Sequence, residues 1–174
     1  MKDIGLIHLY CGDGKGKTSA AMGQCLRAAG HGYRIGIVQF LKDGSSGEIA
    51  ALSRFKNVRF FPFLPQVKFA FAMNDDEKRE ARAFYNALLG EVDASAGAME
   101  LLLLDEACAA VSAGLLDEDA LLAFLRGKPA GLEVLLTGRD PSDGMRELAD
   151  YISEVRMLRH PYEKGVPARE GIEW

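Results

Sequence analysis

Cysteine is scarce. The 174 residues hold three, Cys11, Cys25 and Cys108, with no C-x-x-C pair and no histidine at metal-ligand spacing. This excludes a disulfide framework and a finger-type zinc site, and it suits reduced thiols in a cytoplasmic protein. Positive charge is not in excess either. A net charge of −4 argues against a general nucleic-acid surface, which needs surplus lysine and arginine to displace counterions. No apolar run approaches the ~20 residues of a membrane span, and no signal peptide is read at the start. His8, His31 and His160 form no metal set and no Ser-His-Asp or Cys-His arrangement. A general base is therefore not visible. The expectation is a single cytoplasmic domain over residues 1–174, with neither nucleic acid nor membrane as partner.

What is present is concentrated in one segment. Cys11 to Thr18 reads C-G-D-G-K-G-K-T, meeting G-x-x-x-x-G-K-[ST] at Gly16, Lys17 and Thr18, with Cys11 in place of the first glycine. Gly12, Gly14 and Gly16 let backbone N–H groups close around an anion without interference from Cβ atoms. Lys17 supplies a point charge to phosphates, and the Thr18 hydroxyl a ligand for Mg2+. The apolar run Ile4–Tyr10 before the loop predicts a buried strand. Ala20, Ala21, Met22, Cys25, Leu26 and Ala29 after it predict a helix ending near Gly30. A helix N-terminus thus faces the bound anion.

Apolar runs alternate with helical patterns along the rest of the chain, which predicts an α/β fold around a mostly parallel sheet flanked by helices, of the P-loop NTPase-like (RecA-like) type. Strands are expected over 34–40, 58–63, 100–105, 132–136 and 152–158. Helices are expected over 75–96, 115–125 and 145–149, with a polar loop at 42–48 and an irregular tail from Arg159. In open parallel sheets ligands bind beyond the carboxyl ends of the strands. Lys42 and Glu48, Asp105-Glu106, Thr137-Gly138-Arg139 and Arg159-His160 all fall there, on the same rim as the glycine loop.

Several residues admit two readings. Leu101 to Glu106, four apolar residues followed by two acids, has the shape of a Walker B segment that holds Mg2+ with Thr18. Asp105 before a helix also suits an N-cap. With the glycine loop present, metal binding is favoured, with Glu106 as the expected contact. Arg139 suits a phosphate clamp or a surface pair with Asp140 or Asp143. Lys15, a second lysine in the loop, suits neutralisation of a polyphosphate or plain solvation. Phe69 and Phe71 suit a pocket for a flat ligand or local packing.

The segment from Gly12 to Gly32 resembles the P-loop type of corrinoid adenosyltransferase. So do V-Q-F-L-K (Val38 to Lys42), Gly47-Glu48, L-D-E (Leu104 to Glu106), L-T-G-R (Leu136 to Arg139), Glu147 to Val155, and the tail from His160 to Trp174. The resemblance implies transfer of the 5′-deoxyadenosyl group of ATP to Co(I) of a reduced corrinoid, with release of triphosphate. It places Gly12, Asp13, Gly14, Lys15, Gly16, Lys17, Thr18, Ser19 and Arg139 around the nucleotide, with Arg27 near its nucleoside end. Mg2+ falls to Thr18, Glu106 and Asp105. Lys17, Thr18 and Glu106 are implied as catalytic, and Phe69 and Phe71 as the rings that press on the corrin and keep cobalt free of its lower ligand, which makes reduction to Co(I) feasible. A homodimer and a flavoprotein reductant are implied as well. Departures from the pattern are Cys11, Asp43 where glycine is common, and a first strand so near Met1 that a covering N-terminal arm is not expected. A P-loop kinase or ATPase, or a non-catalytic ATP-binding module, would share the same loop.

Overall fold

The computed structural model describes residues 4–65, 68 and 70–173. Six parallel strands form one sheet in the order β3-β2-β4-β5-β1-β6. They are β1 (Ile7–Cys11), β2 (Ile35–Gln39), β3 (Val58–Phe60), β4 (Leu101–Asp105), β5 (Glu133–Thr137) and β6 (Tyr151–Glu154). The helices are α1 (Lys17–Gly30), α2 (Gly47–Leu52), α3 (Asp75–Ser95), α4 (Ala107–Ser112), α5 (Glu118–Gly127) and α6 (Asp143–Leu148).

Strand residues point alternately to opposite faces, so β4 feeds two cores. Leu101 and Leu103 join Ile35, Ile37 and Leu135 under Ala21, Met22, Cys25, Ala28 and Ala29 of α1. Leu102 and Leu104 join Val38, Val134 and Leu136 under α3 and α5, where Tyr85, Leu88, Leu89 and Val92 of α3 are buried. Such strands carry near-continuous apolar runs because both faces are covered. The start of α3 is fixed by a capping box: Asn74 accepts from the Glu77 amide, and Glu77 accepts from the Asn74 amide.

The element boundaries correct the sequence reading in several places; the helix expected from Leu115 starts at Glu118, behind its Asp117 cap. Ile4 is 79% exposed, and β1 begins at Ile7, where the Glu133 and Asp150 carboxylates accept the amides of Leu6 and Ile7. The strand expected over 58–63 stops at Phe60, before Pro62. The last strand ends at Glu154 rather than Leu158, which leaves Arg159 and His160 in the tail. Finally, α2 and α4 were not anticipated. Each has six residues, too few for a periodic stripe. In α4, Ala107, Cys108 and Ala110 are all buried, so no polar face marks it as a helix.

Two thiols are chemically quiet: burial pushes Cys25 and Cys108 up to about 12. His8 sits at the start of β1, at the far end from the glycine loop. Its Nε2 lies 2.5 Å from Glu133 Oε1, and its ring stacks on Tyr151.

Candidate active site

The loop between β1 and α1 turns at Gly12 (φ 100) and enters α1 through Gly16 (φ 118). An L side chain is strained at either position. At Gly12 an added Cβ would also stand 2.4 Å from the Val155 carbonyl oxygen. No side chain caps α1, and its first turn holds no acid. The amides that a helix leaves unbonded at its start therefore face the cavity without competition. One loop amide is already engaged: Gly14 N–H donates to Val155 O at 2.8 Å. Lys17 is buried and folds back on the loop, Nζ donating to Gly14 O at 2.9 Å. Burial lowers its pKa, against the opposing pull of Glu106.

At the centre lies Asp105, fully buried at the end of β4. Its Oδ1 accepts from Thr18 Oγ1 at 2.9 Å and from Thr137 Oγ1 at 2.7 Å. Its Oδ2 accepts from Gln39 Nε2 at 3.0 Å and from Lys42 Nζ at 2.7 Å. Lys42 also donates to Thr18 Oγ1 at 3.2 Å. Three strand ends and the first turn of α1 thus converge on one carboxylate. Gln39 reaches it because β2 and β4 pair in register, Gln39 opposite Asp105. The oxygen of that amide, Gln39 Oε1, is buried with no hydrogen-bond partner among the described residues.

Glu106 follows in a left-handed conformation (φ 60), its amide donating to Thr137 Oγ1 at 2.9 Å. Its carboxylate accepts no hydrogen bond from a described residue and lines the cavity. Burial, and then the charge of Asp105, raise its pKa. The acid bonded to Thr18 is therefore Asp105, while Glu106, expected from the sequence as the metal contact, stands on the cavity lining. Asp105 does not act as a side-chain cap for α4, whose N-cap position is Glu106.

Lys17, Thr18, Gln39, Lys42 and Glu106 of this cluster line a cavity of about 1280 Å3, while Asp105 and Thr137 stand behind them, fully buried. Asp13, Gly14, Lys15, Gly16, Lys17, Thr18 and Ser19 line one side, together with Arg139 and Glu106. Met22, Gly23 and Leu26 of α1 form an apolar wall, and the segment from Leu41 to Glu48 bounds the opposite side. Arg139 reaches the Asp13 carbonyl at 3.5 Å and forms no ion pair with Asp140 or Asp143 among the described residues. Lys15 donates to the Ile172 carbonyl at 2.9 Å, and the Met157 amide to Asp13 Oδ1 at 2.9 Å. The carboxy-terminal segment thus runs across the loop, and Gly171, Ile172 and Glu173 join the lining.

Two sequence-predicted residues lie apart. Arg27 is exposed in the last turn of α1, beside Gln24 at 3.4 Å, and does not line the cavity. Phe71 is 87% exposed on a short 3-10 turn whose neighbours Ala70 and Ala72 do line it. Phe69 lies outside the described residues. Sequence reasoning missed Gln39 and gave Lys42 no role. The available signal was a polar residue ending the apolar run Ile35–Val38.

Comparison with known proteins shows the family. The model of the family described as ATP:corrinoid adenosyltransferase BtuR/CobO/CobP matches residues 3–174. The chain belongs to that family. A corrinoid adenosyltransferase of Pseudomonas aeruginosa is 34% identical over 176 residues, covering 98% of this chain and 84% of the relative. That of Escherichia coli K12 is 32% identical, covering 98% and 86%. That of Salmonella typhimurium is 30% identical, covering 100% and 88%. The likeness to corrinoid adenosyltransferases therefore takes in the glycine loop, the Asp105 cluster and the tail. Among the described residues no helix is long and apolar enough to cross a membrane.

Proposed function

We propose that this protein transfers the 5′-deoxyadenosyl group of ATP to the Co(I) centre of a reduced corrinoid, releasing triphosphate. The observation that carries this reading is the glycine loop of a chain matched by the family over residues 3–174, opening onto a large cavity with an uncapped helix N-terminus and two lysines beside it. Co(I) holds a filled axial orbital, so it attacks C5′ without surrendering a proton. The cobalt electron pair becomes the Co–C bond, and the C5′–O bond pair leaves with the triphosphate. This chemistry needs no general base; the one histidine on the described lining is His160. That ring is engaged at Nδ1 by the Tyr162 amide.

The enzyme's tasks are then positioning and support of the departing charge. In this reading the loop from Gly12 to Ser19 holds the triphosphate, with Lys15, Lys17 and Arg139 as counter-charges. Adenosine lies along Met22 and Leu26, and Arg27, off the lining, meets its nucleoside end only by turning inward. Thr18, Asp105 and Glu106 would hold Mg2+. The donor set fits: one hydroxyl and two carboxylates leave room for phosphate and water, as Mg2+ prefers. The partnerless Gln39 Oε1 beside Asp105 suits the proton of a metal-bound water. Bound there, Mg2+ would offset triphosphate charge. Phe71, with Phe69, is assigned to the corrin side. The reading further takes the whole chain as one catalytic domain, cytoplasmic, working as a homodimer with a flavoprotein reductant. These last assignments rest on family likeness.

Incubation with ATP, Mg2+ and chemically reduced cobalamin tests the proposal. A light-sensitive cobalt–carbon product is expected. ATP binding without that product, at any reductant strength, overturns it.

A further inference from the structure

Lys42 is the one charged donor on Asp105. Its ammonium stands 2.7 Å from Asp105 Oδ2 and 3.2 Å from Thr18 Oγ1, so an acidic oxygen and a hydroxyl oxygen converge on a single cation. Those are also two of the three oxygens assigned above to the metal. Asp105 has no vacant lone pair, since Thr18, Thr137, Gln39 and Lys42 take all four acceptor positions. A divalent ion can reach Oδ2 only if a donor leaves. Of the two donors on Oδ2, Gln39 is buried, whereas the Lys42 side chain is 29% exposed and borders the cavity.

The backbone is built to present this lysine. Leu41 adopts a left-handed conformation (φ 56) that branched or bulky residues avoid, and its amide is held by Tyr85 Oη at 2.9 Å. Tyr85 is itself fully buried against Phe40. That turn bends the chain beyond β2 back toward β4. The four-carbon stem then lets the ammonium move several ångströms with no backbone change.

We propose that Lys42 is a resident stand-in for the metal. It neutralises Asp105 while the site is free of nucleotide, yields its place between Thr18 and Asp105 when Mg2+ arrives with ATP, and carries its charge onto the triphosphate. This inference rests on the nucleotide-and-metal reading above. Bare Mg2+ must evict the ammonium unaided, while Mg2+ arriving with ATP brings phosphate oxygens that receive it. The site therefore discriminates against metal without nucleotide, and Lys42 is a positioning residue for the metal before it becomes a phosphate contact.

The test is Mn2+ binding, followed by electron paramagnetic resonance, to wild type and Lys42→Met with and without ATP. Without ATP, the variant is expected to bind Mn2+ about tenfold or more tightly than wild type, because the competing charge is gone. With ATP, that advantage disappears. Equal or weaker binding of bare Mn2+ by the variant overturns the exchange while leaving the metal reading intact. No Mn2+ binding by wild type even with ATP overturns both.

Should Lys42→Met fail to fold, wild-type protein labelled with 15N at lysine Nζ carries the test, with Lys42→Arg identifying the resonance. The Lys42 signal is expected to move when Mg2+ is added to the ATP complex prepared in chelator. An unchanged signal overturns the exchange.

Discussion

The Thr18 hydroxyl donates to Asp105 Oδ1 over 2.9 Å, although β5 lies between the strands that carry the two residues to the site. Thr137 at the end of β5 closes the gap by bonding the same oxygen. The glycine loop and the acidic strand end are thereby locked together before any ligand arrives.

Asp105→Ala removes the acceptor shared by four donors and leaves Lys42 without its counter-charge. Breaking a buried pair from one side costs roughly 3–5 kcal/mol, and the partial exposure of Lys42 favours the lower end. Thr18→Ala deletes two hydrogen bonds, one to Asp105 and one from Lys42, each worth about 1 kcal/mol. Urea unfolding should therefore show Asp105→Ala as the less stable of the two variants, while both lose most turnover.

Lys17→Ala should abolish the support that Lys17 gives the departing triphosphate, lowering kcat on the order of a hundred- to a thousand-fold. Among the described residues its ammonium bonds only Gly14 O, and burial already disfavours the charge. The urea midpoint should stay close to wild type. Near-normal turnover would remove the loop from the chemistry.

Phe71→Ala separates corrinoid handling from folding. Because the ring is 87% exposed, stability should change by less than about 0.5 kcal/mol. Rates from chemically pre-reduced Co(I) should be spared, and rates starting from Co(II) should fall. Equal loss in both assays would contradict a role in displacing the lower cobalt ligand.

The tail across the loop has its own pH dependence. Hydrogen bonding and charge from Arg169 hold the Glu173 carboxyl down at about 2, against an ordinary 4.5. A depressed acid stabilises above its ordinary pKa, so the contact should persist through neutral pH and disappear as pH falls from 4.5 toward 2. Amide exchange at 170–173 measures this, and Arg169→Ala should loosen the same residues at pH 7.

Much of this site was legible in the sequence because it is local. Strand, glycine loop and helix are contiguous from Ile7 to Gly30, and the acids close an apolar run at Asp105 and Glu106. What escaped depends on register and on distant chain segments. Gln39 reaches Asp105 only because β2 pairs with β4 residue for residue. The Gly14 amide is occupied because Val155, far along the chain, runs beside the loop. Lys42 could be seen on the rim, but its bond to Asp105 depends on the turn at Leu41, and no leucine advertises a left-handed backbone. The short helices α2 and α4 lacked the length that makes periodicity visible.

Everything in the proposed chemistry turns on which atom of ATP is struck. Phosphorus-31 spectra of a reaction with ATP, Mg2+ and excess cob(I)alamin decide it. Attack at carbon predicts intact triphosphate, formed in step with adenosylated corrinoid. ADP with orthophosphate, or with a phosphorylated acceptor, would mean that phosphorus is struck instead, and would contradict adenosyl transfer.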